Sequence, residues 1–218
     1  LRSNTTEASF YKISTDLRLN RPGSEKKLSA FMIYNPTSYL TETAYYDLAS
    51  YYFLNGKYTY ALKWFSKIKD TDVASAKRNE YYFNKAYTLF TIKRFKEANK
   101  LFQKIENVLK YQYDVSYYLG YIAYQLDDYD AAVENFNKIT TQKGDTTVGY
   151  FQADMNFNLG RFEKAIALAR KSLTNANENQ TSELSKIIGE SYFNLKDYRS
   201  ALAYLEAYKG KKLSLIHI

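Results

Sequence analysis

Apolar residues recur along this chain at the three- and four-residue spacing of amphipathic helices, and short polar turns separate one helix from the next. Residues 44–54 and 58–68 have this spacing, and Asn55-Gly56 between them is typical of a helix that stops in a left-handed residue. The alternation predicts about twelve helices, paired into six hairpins. The predicted hairpins span approximately residues 7–36, 42–69, 79–109, 113–140, 146–175 and 181–209.

Several helix starts are also predicted from residue type. Asp128 and Asp197 each precede an amphipathic run and are typical N-caps, since a short polar side chain can accept a bond from a free backbone N–H. Thr181 or Ser182 is the predicted cap of the first helix in the sixth hairpin.

The hairpins share a repeated pattern. An aromatic residue begins the second helix of each of the last five, and an alanine follows three residues later. The aromatic residues are Tyr58, Phe95, Tyr129, Phe162 and Tyr198, and the alanines are Ala61, Ala98, Ala132, Ala165 and Ala201. The alanines lie 37, 34, 33 and 36 residues apart. A period in the mid-thirties indicates an array of helical repeats.

Two further positions complete the repeat. A small residue lies twelve before each alanine, and a bulky one usually lies four after it. The small residues are Ala49, Ala86, Gly120, Ala153 and Gly189, and the later residues are Phe65, Phe102, Phe136, Ala169 and Leu205. Small residues let two helix axes approach, and bulky ones fill the groove between hairpins.

Over approximately residues 42–210 this pattern resembles the tetratricopeptide repeat (TPR) family. Ala169, where an aromatic residue would be typical, and the degenerate first hairpin depart from it. The resemblance implies an all-α fold, a right-handed α-solenoid of about six hairpins in a single domain over residues 1–210. It also implies binding rather than catalysis.

The ends of the chain suggest a fragment of a longer repeat protein. The chain begins at Leu1, and the last residues, LSLIHI, lack helical periodicity. We expect the tail, residues 211–218, to be partly non-native, so its histidine, His217, carries no function. No run approaches the ~18 apolar residues that a membrane span needs.

Catalytic chemistry has little support. The chain has no cysteine and one histidine, which removes the usual nucleophile–base pairs and the favoured zinc ligands. Asp127, Asp128 and Asp130 straddle a predicted helix start, where carboxylates cap amides and complement the helix dipole. We therefore expect that the protein has no enzymatic activity, no cofactor and no metal site.

Tyrosine supplies the binding candidates, with 24 residues of 218. The family resemblance implies that first-helix positions two, five, nine and twelve face a concave groove. The aromatic residues at these positions are Tyr46, Phe53, Phe83, Tyr87, Phe90, Tyr117, Tyr121, Tyr124, Tyr150, Phe157 and Phe193; we call them the groove residues. Either the rings pack on the next hairpin and only fill the core, or they form a ligand groove of rigid amphipathic side chains.

Positive charge is concentrated in one segment. Residues 51–110 have 13 Lys and Arg against 5 Asp and Glu, a net charge of +8. Second-helix lysines of this segment are Lys63, Lys67, Lys96, Lys100 and Lys104. They form either a solvated convex face or a docking ridge for an anionic partner. Nucleic acid is not expected, because its binding proteins place cations and aromatic rings on one surface, and here the pattern separates them.

The sequence thus predicts a non-catalytic scaffold that binds a protein or peptide in a tyrosine-lined groove. The alternatives are a carbohydrate or cell-wall binding module, whose rings would stack on sugars, and a structural spacer within a longer repeat protein. Family members that bind chaperone tails have Lys, Asn or Arg at positions five and nine; here only Lys186 matches, so that ligand is not expected. A softer resemblance, to tyrosine-rich repeat proteins of bacterial envelopes, implies an envelope or periplasmic location, with the cytoplasm as the alternative.

Overall fold

The structure is a computed structural model that describes residues 2–139, 146–206 and 208. Within these residues it contains twelve α-helices, two short 3₁₀ helices and no strand. The predicted tail, 211–218, lies outside the described residues. The chain divides into two compact units, Leu1–Tyr111 and Gln112–Ile218.

The first unit consists of three helical hairpins. Its helices are α1 Arg2–Arg18, α2 Ser24–Tyr34, α3 Leu40–Leu54, α4 Tyr58–Phe65, α5 Ser75–Thr91 and α6 Phe95–Gln103. Within each hairpin the two helices pack together, and the first helices also contact one another, α1 with α3 and α3 with α5. The first helices therefore adjoin on one side of the unit, as in a stack of repeats.

The second unit has the same construction. Its helices are α7 Gln112–Gln125, α8 Tyr129–Asn137, α9 Thr146–Asn158, α10 Phe162–Leu173, α11 Glu178–Asn194 and α12 Tyr198–Leu205. The pairs α7–α8, α9–α10 and α11–α12 are the hairpins, and the first helices α9 and α11 contact each other.

One turn geometry joins the helices of the last five hairpins. The residue five before each repeat alanine has a positive φ: Gly56 (69°), Lys93 (62°), Asp127 (59°), Gly160 (70°) and Lys196 (65°). The next N–H then bonds back to the first helix, as Lys57 N does to the Tyr52 carbonyl at 2.8 Å. This bond gives a free helix-end carbonyl a partner. From the sequence, the left-handed turn was identified only at Asn55-Gly56; the glycine at 160 was missed, and Lys93, Asp127 and Lys196 are not residue types that indicate such a turn.

The predicted caps at Asp128 and Asp197 are confirmed, since their carboxylates accept from Ala131 N at 3.2 Å and Ser200 N at 3.1 Å. The prediction of Thr181 or Ser182 as a cap is wrong. Helix α11 begins at Glu178, and its cap is Asn177, four residues before Thr181. Asn177 and Gln180 bond each other's backbone N–H reciprocally, and this capping box satisfies two donors one turn before the expected start.

The repeat alanines lie in the core, as the pattern predicts. Four of the five are fully buried, and Ala201 is 2% exposed. The small residues opposite them are needed for the same close approach: a Cβ added to Gly120 would lie 3.0 Å from three ring atoms of Phe136. Phe65, Phe102 and Phe136 are themselves fully buried, so the predicted register of the repeat is correct.

Candidate binding surface

The groove residues all lie on first helices, but they differ in exposure. Phe90, Tyr121 and Tyr150 are buried, and Phe193 is 58% exposed. The other seven, Tyr46, Phe53, Phe83, Tyr87, Tyr117, Tyr124 and Phe157, are half-buried. Exposure alone therefore separates core rings from those that a ligand could reach.

Five groove residues have a structural contact in common. Each ring at position twelve packs against the aromatic residue that begins the second helix of its own hairpin. The pairs and centroid distances are Phe53–Tyr58 at 6.1 Å, Phe90–Phe95 at 5.8 Å, Tyr124–Tyr129 at 6.0 Å, Phe157–Phe162 at 5.8 Å and Phe193–Tyr198 at 5.4 Å. These rings pack across the turn between the two helices, so the packing of each hairpin is enough to explain why an aromatic residue recurs at this position.

In the first unit, three groove residues form a row across α3 and α5. The rings of Phe53 and Tyr87 meet edge to face at 5.8 Å. The ring of Phe83 is stacked against Tyr87 at 6.4 Å and against Tyr111 at 4.8 Å. Because its neighbours are stacked on it, Phe83 offers its edge more than its faces to a ligand.

In the second unit, two of the six groove residues, Tyr121 and Tyr150, are buried. Tyr117 meets Phe136 edge to face at 6.0 Å, and buried Tyr121 meets Phe151 in the same way at 5.7 Å. Tyr150 is 6% exposed. The two buried rings fit the packing interpretation of the tyrosine pattern, whereas Tyr117, Tyr124 and Phe157 are half-buried and Phe193 is exposed.

Asp154, at position nine of α9, is a half-buried carboxylate that the sequence did not mark as a candidate. It accepts hydrogen bonds from the Tyr124 hydroxyl at 2.8 Å and from Asn158 Nδ2 at 3.3 Å. Burial raises the pKa of Asp154, although these bonds and Lys186 oppose the shift. Burial, followed by the Asp154 carboxylate, raises the pKa of Tyr124.

We expect Asp154→Asn to increase the free energy of unfolding at pH 7 by up to about 1 kcal/mol, because it removes a partly desolvated charge and keeps an acceptor for Tyr124. The raised pKa means that the folded state binds the proton more tightly than the unfolded state. Stability should therefore fall as the pH rises above the usual value of 3.8, and the gain should vanish below it. Urea denaturation across this range measures the effect.

The matched control is Asp72→Asn, at an exposed position of the first unit. It should change stability by less than about 0.5 kcal/mol. A stabilisation by Asp154→Asn that stays constant down to pH 3.5, or a loss of stability at pH 7, would contradict the role given to burial.

The first unit also has a pocket of about 380 Å³, bounded by the end of α1, by α3 and by the start of α5. Tyr46 and Ser50, at positions five and nine of α3, line it together with Arg18, Lys77 and Glu80. Of these five, only Tyr46 was a predicted site residue. The others come from three helices far apart in sequence, so no spacing in the chain brings them together.

The predicted lysine ridge is partly engaged with the protein's own side chains. Lys104 bonds Asp70 at 2.7 Å and lies 4.5 Å from the centre of the Tyr82 ring. Lys63 lies 5.3 Å from Trp64, and Lys67 lies 5.9 Å from Tyr45. Cations and aromatic rings are thus less separated here than the sequence pattern indicated. Lys96 and Lys100 are exposed.

Two further properties of the described residues bear on function. Among the described residues, no group of three or more His, Asp or Glu side chains is placed to hold a metal ion. No helix in that part of the chain combines the length and apolar character that a bilayer crossing requires.

Comparison with known families supports the repeat assignment. Residues 113–146 match the tetratricopeptide repeat family, and this segment includes nearly all of the hairpin α7–α8. The resemblance to the TPR family is therefore confirmed. No protein with a curated description matches the chain.

Solved structures extend the match to most of the chain. MamA MSR-1 superposes with a TM-score of 0.65 at 19% identity, over 78% of this chain and 95% of that one. MamA AMB-1 does so with a TM-score of 0.67 at 18% identity, over 82% and 97%. MamA contains tetratricopeptide repeats, so the all-α fold of repeated hairpins, of the α-solenoid class, is confirmed. Such a fold typically serves as a non-catalytic scaffold for protein interaction.

Proposed function

We propose that this protein is a non-catalytic scaffold that binds a peptide or protein segment along the first helices of its hairpins. The observation that carries the proposal is the row of half-buried rings, Phe53, Tyr87 and Phe83, where α3 and α5 adjoin. Rigid rings supported by one another present contact area with little loss of entropy on binding.

The packing of these rings favours a peptide over a sugar. A sugar stacks on an open aromatic face, but Phe83 has rings stacked at interplanar angles of 19° and 20°. Apolar side chains of a peptide can instead pack against ring edges and the grooves between helices. The carbohydrate module therefore stays the second candidate, and the structural spacer the third.

The test is a quantitative peptide-binding assay with variants of the row. Purified protein is screened on a random peptide array, and the affinity of the strongest sequences is measured by fluorescence anisotropy. We expect Tyr87→Ala to weaken binding about 30-fold, since a central ring is worth about 2 kcal/mol. Tyr87 is preferred over Tyr121 as the target, because Tyr121 is buried and its loss would disturb the core.

The control is Tyr60→Ala, a ring that is 59% exposed on the second helix α4 of the same unit. It should leave the affinity within two-fold, and circular dichroism should show both variants folded. Saturable binding to a glycan panel, with no peptide selected, would move the assignment to the carbohydrate module. Selection of neither ligand would favour the spacer. A location in a bacterial envelope stays a prediction, which fractionation of cells would test.

A further inference from the structure

The pocket between α1, α3 and α5 has the features of a ligand-binding site, and the proposed function does not yet give it a ligand. The hydroxyl oxygens of Tyr46 and Ser50 are buried, and neither makes a hydrogen bond of normal geometry within the described part of the chain, although Ser50 and the Glu80 carboxylate both lie near the Tyr46 hydroxyl. A buried hydroxyl without a partner costs free energy, so such groups normally have a protein, water or ligand partner. Both side chains line the pocket.

The charges around the pocket decide which ligand fits. Arg18 and Asp47 form an ion pair at 2.8 Å, and Ser14 also donates to the Asp47 carboxylate. This pair neutralises itself. Two exposed charges remain at the rim, the ammonium group of Lys77 and the carboxylate of Glu80, one turn apart on α5.

Both rim charges lie near Tyr46. The Lys77 ammonium lies 5.2 Å from the centre of the Tyr46 ring. Burial, with the Glu80 carboxylate as the next cause, raises the pKa of Tyr46 to about 12, so its hydroxyl keeps its proton at neutral pH. The ring face is covered by a cation, which leaves hydrogen bonding rather than ring stacking as the means of recognition.

A charged guest would meet one rim group of its own sign. An uncharged group with a donor on one side and an acceptor on the other is not repelled by either rim charge. It can also satisfy two hydroxyls, each of which both donates and accepts. The pocket is further lined by the apolar side chains of Leu17 and Leu54, which suit the methylene groups that carry such a head group.

We propose that this pocket binds the carboxamide side chain of an asparagine or glutamine in the bound peptide. The carboxamide oxygen accepts from the Tyr46 and Ser50 hydroxyls, and its NH₂ group donates towards Glu80. This inference rests on the proposed function, which supplies the peptide, and adds a preference for one of its side chains.

The experiment is a positional scan of the strongest peptide from the array. Each position in turn carries Gln, Glu, Lys, Met or Ala. We expect one position at which Gln binds at least five-fold more tightly than Glu, Lys and Met. Tyr46→Phe removes one hydroxyl and keeps the ring, and it should weaken the Gln peptide about five-fold, as expected for one hydrogen bond. Ser50→Ala should have a similar effect.

The matched control is Tyr45→Phe. Tyr45 is the neighbouring residue on α3, does not line the pocket and stacks on Trp64 at 6.0 Å. It should bind the Gln peptide like the unsubstituted protein. A second measurement locates the site directly: addition of N-acetylglutamine amide should shift the backbone amide signals of Tyr46, Ser50 and Glu80 in ¹⁵N-labelled protein.

The outcomes separate the two proposals. Peptide binding that shows no preference for Gln or Asn at any position, or is unchanged in Tyr46→Phe and Ser50→Ala, overturns the carboxamide inference and leaves the scaffold proposal standing. A preference for Glu or Lys overturns it as well. Absence of any peptide binding removes the scaffold proposal itself, and the carboxamide inference with it.

Discussion

Phe136→Ala is expected to lower the free energy of unfolding by about 3–5 kcal/mol, the usual cost of removing a large ring from a packed core. Phe136 is fully buried on α8. Its ring is stacked against Phe151 of α9 at 5.7 Å and meets Tyr117 of α7 edge to face at 6.0 Å. Alanine would leave a cavity where three helices meet, and Gly120, opposite the ring, has no side chain to fill it.

Urea denaturation followed by circular dichroism measures this loss. The control is Phe193→Ala in the same unit, where the ring is 58% exposed. Its removal should cost less than about 1 kcal/mol, since little apolar area leaves a buried environment. Equal losses from the two substitutions would show that Phe136 does not hold the hairpins together in solution.

Ala98→Phe is expected to lower the free energy of unfolding by about 1–3 kcal/mol, for the opposite reason. Ala98 is fully buried on α6, and α6 packs on α5, where the small residue of the repeat, Ala86, is fully buried too. A ring at this crossing must push the helices apart or adopt a strained rotamer. The same denaturation experiment applies.

The control for overpacking is Ala76→Phe, at an exposed position of α5. It should change stability by less than about 1 kcal/mol, because the new ring can extend into solvent without displacing a neighbouring helix. A loss below about 0.5 kcal/mol for Ala98→Phe would mean that the crossing is not close-packed, and the repeat register would then be wrong.

Repetition made most of the fold predictable. Each of the last five hairpins has the same residue pattern where its two helices cross. The burial of Ala61 and its counterparts could therefore be inferred from five copies of the pattern, although each copy alone is a weak signal. Caps were less predictable. Asp128 and Asp197 were identified, but Asn177 was missed because Thr181 and Ser182, a few residues later, are equally plausible caps by residue type. Lys93 and Lys196 adopt left-handed turns that their residue type does not suggest.

The candidate site was predictable only as a list of aromatic positions. Spacing placed all the rings on first helices, but it could not show that Phe90 and Tyr150 are buried or that the ring at position twelve packs across the turn. A ring's exposure depends on what the neighbouring hairpin places over it, and that neighbour lies more than thirty residues away.

The sequence by itself determined the helical hairpins, their period and the small residues at each crossing, because these follow from interactions within about forty residues of chain. Only the tertiary structure decided which tyrosines are core and which are half-open. It alone assembled the pocket of Tyr46, Ser50, Lys77 and Glu80, beside the Arg18–Asp47 ion pair. The physical reason is that a pocket requires side chains from separate helices to converge, and their convergence depends on how whole hairpins pack.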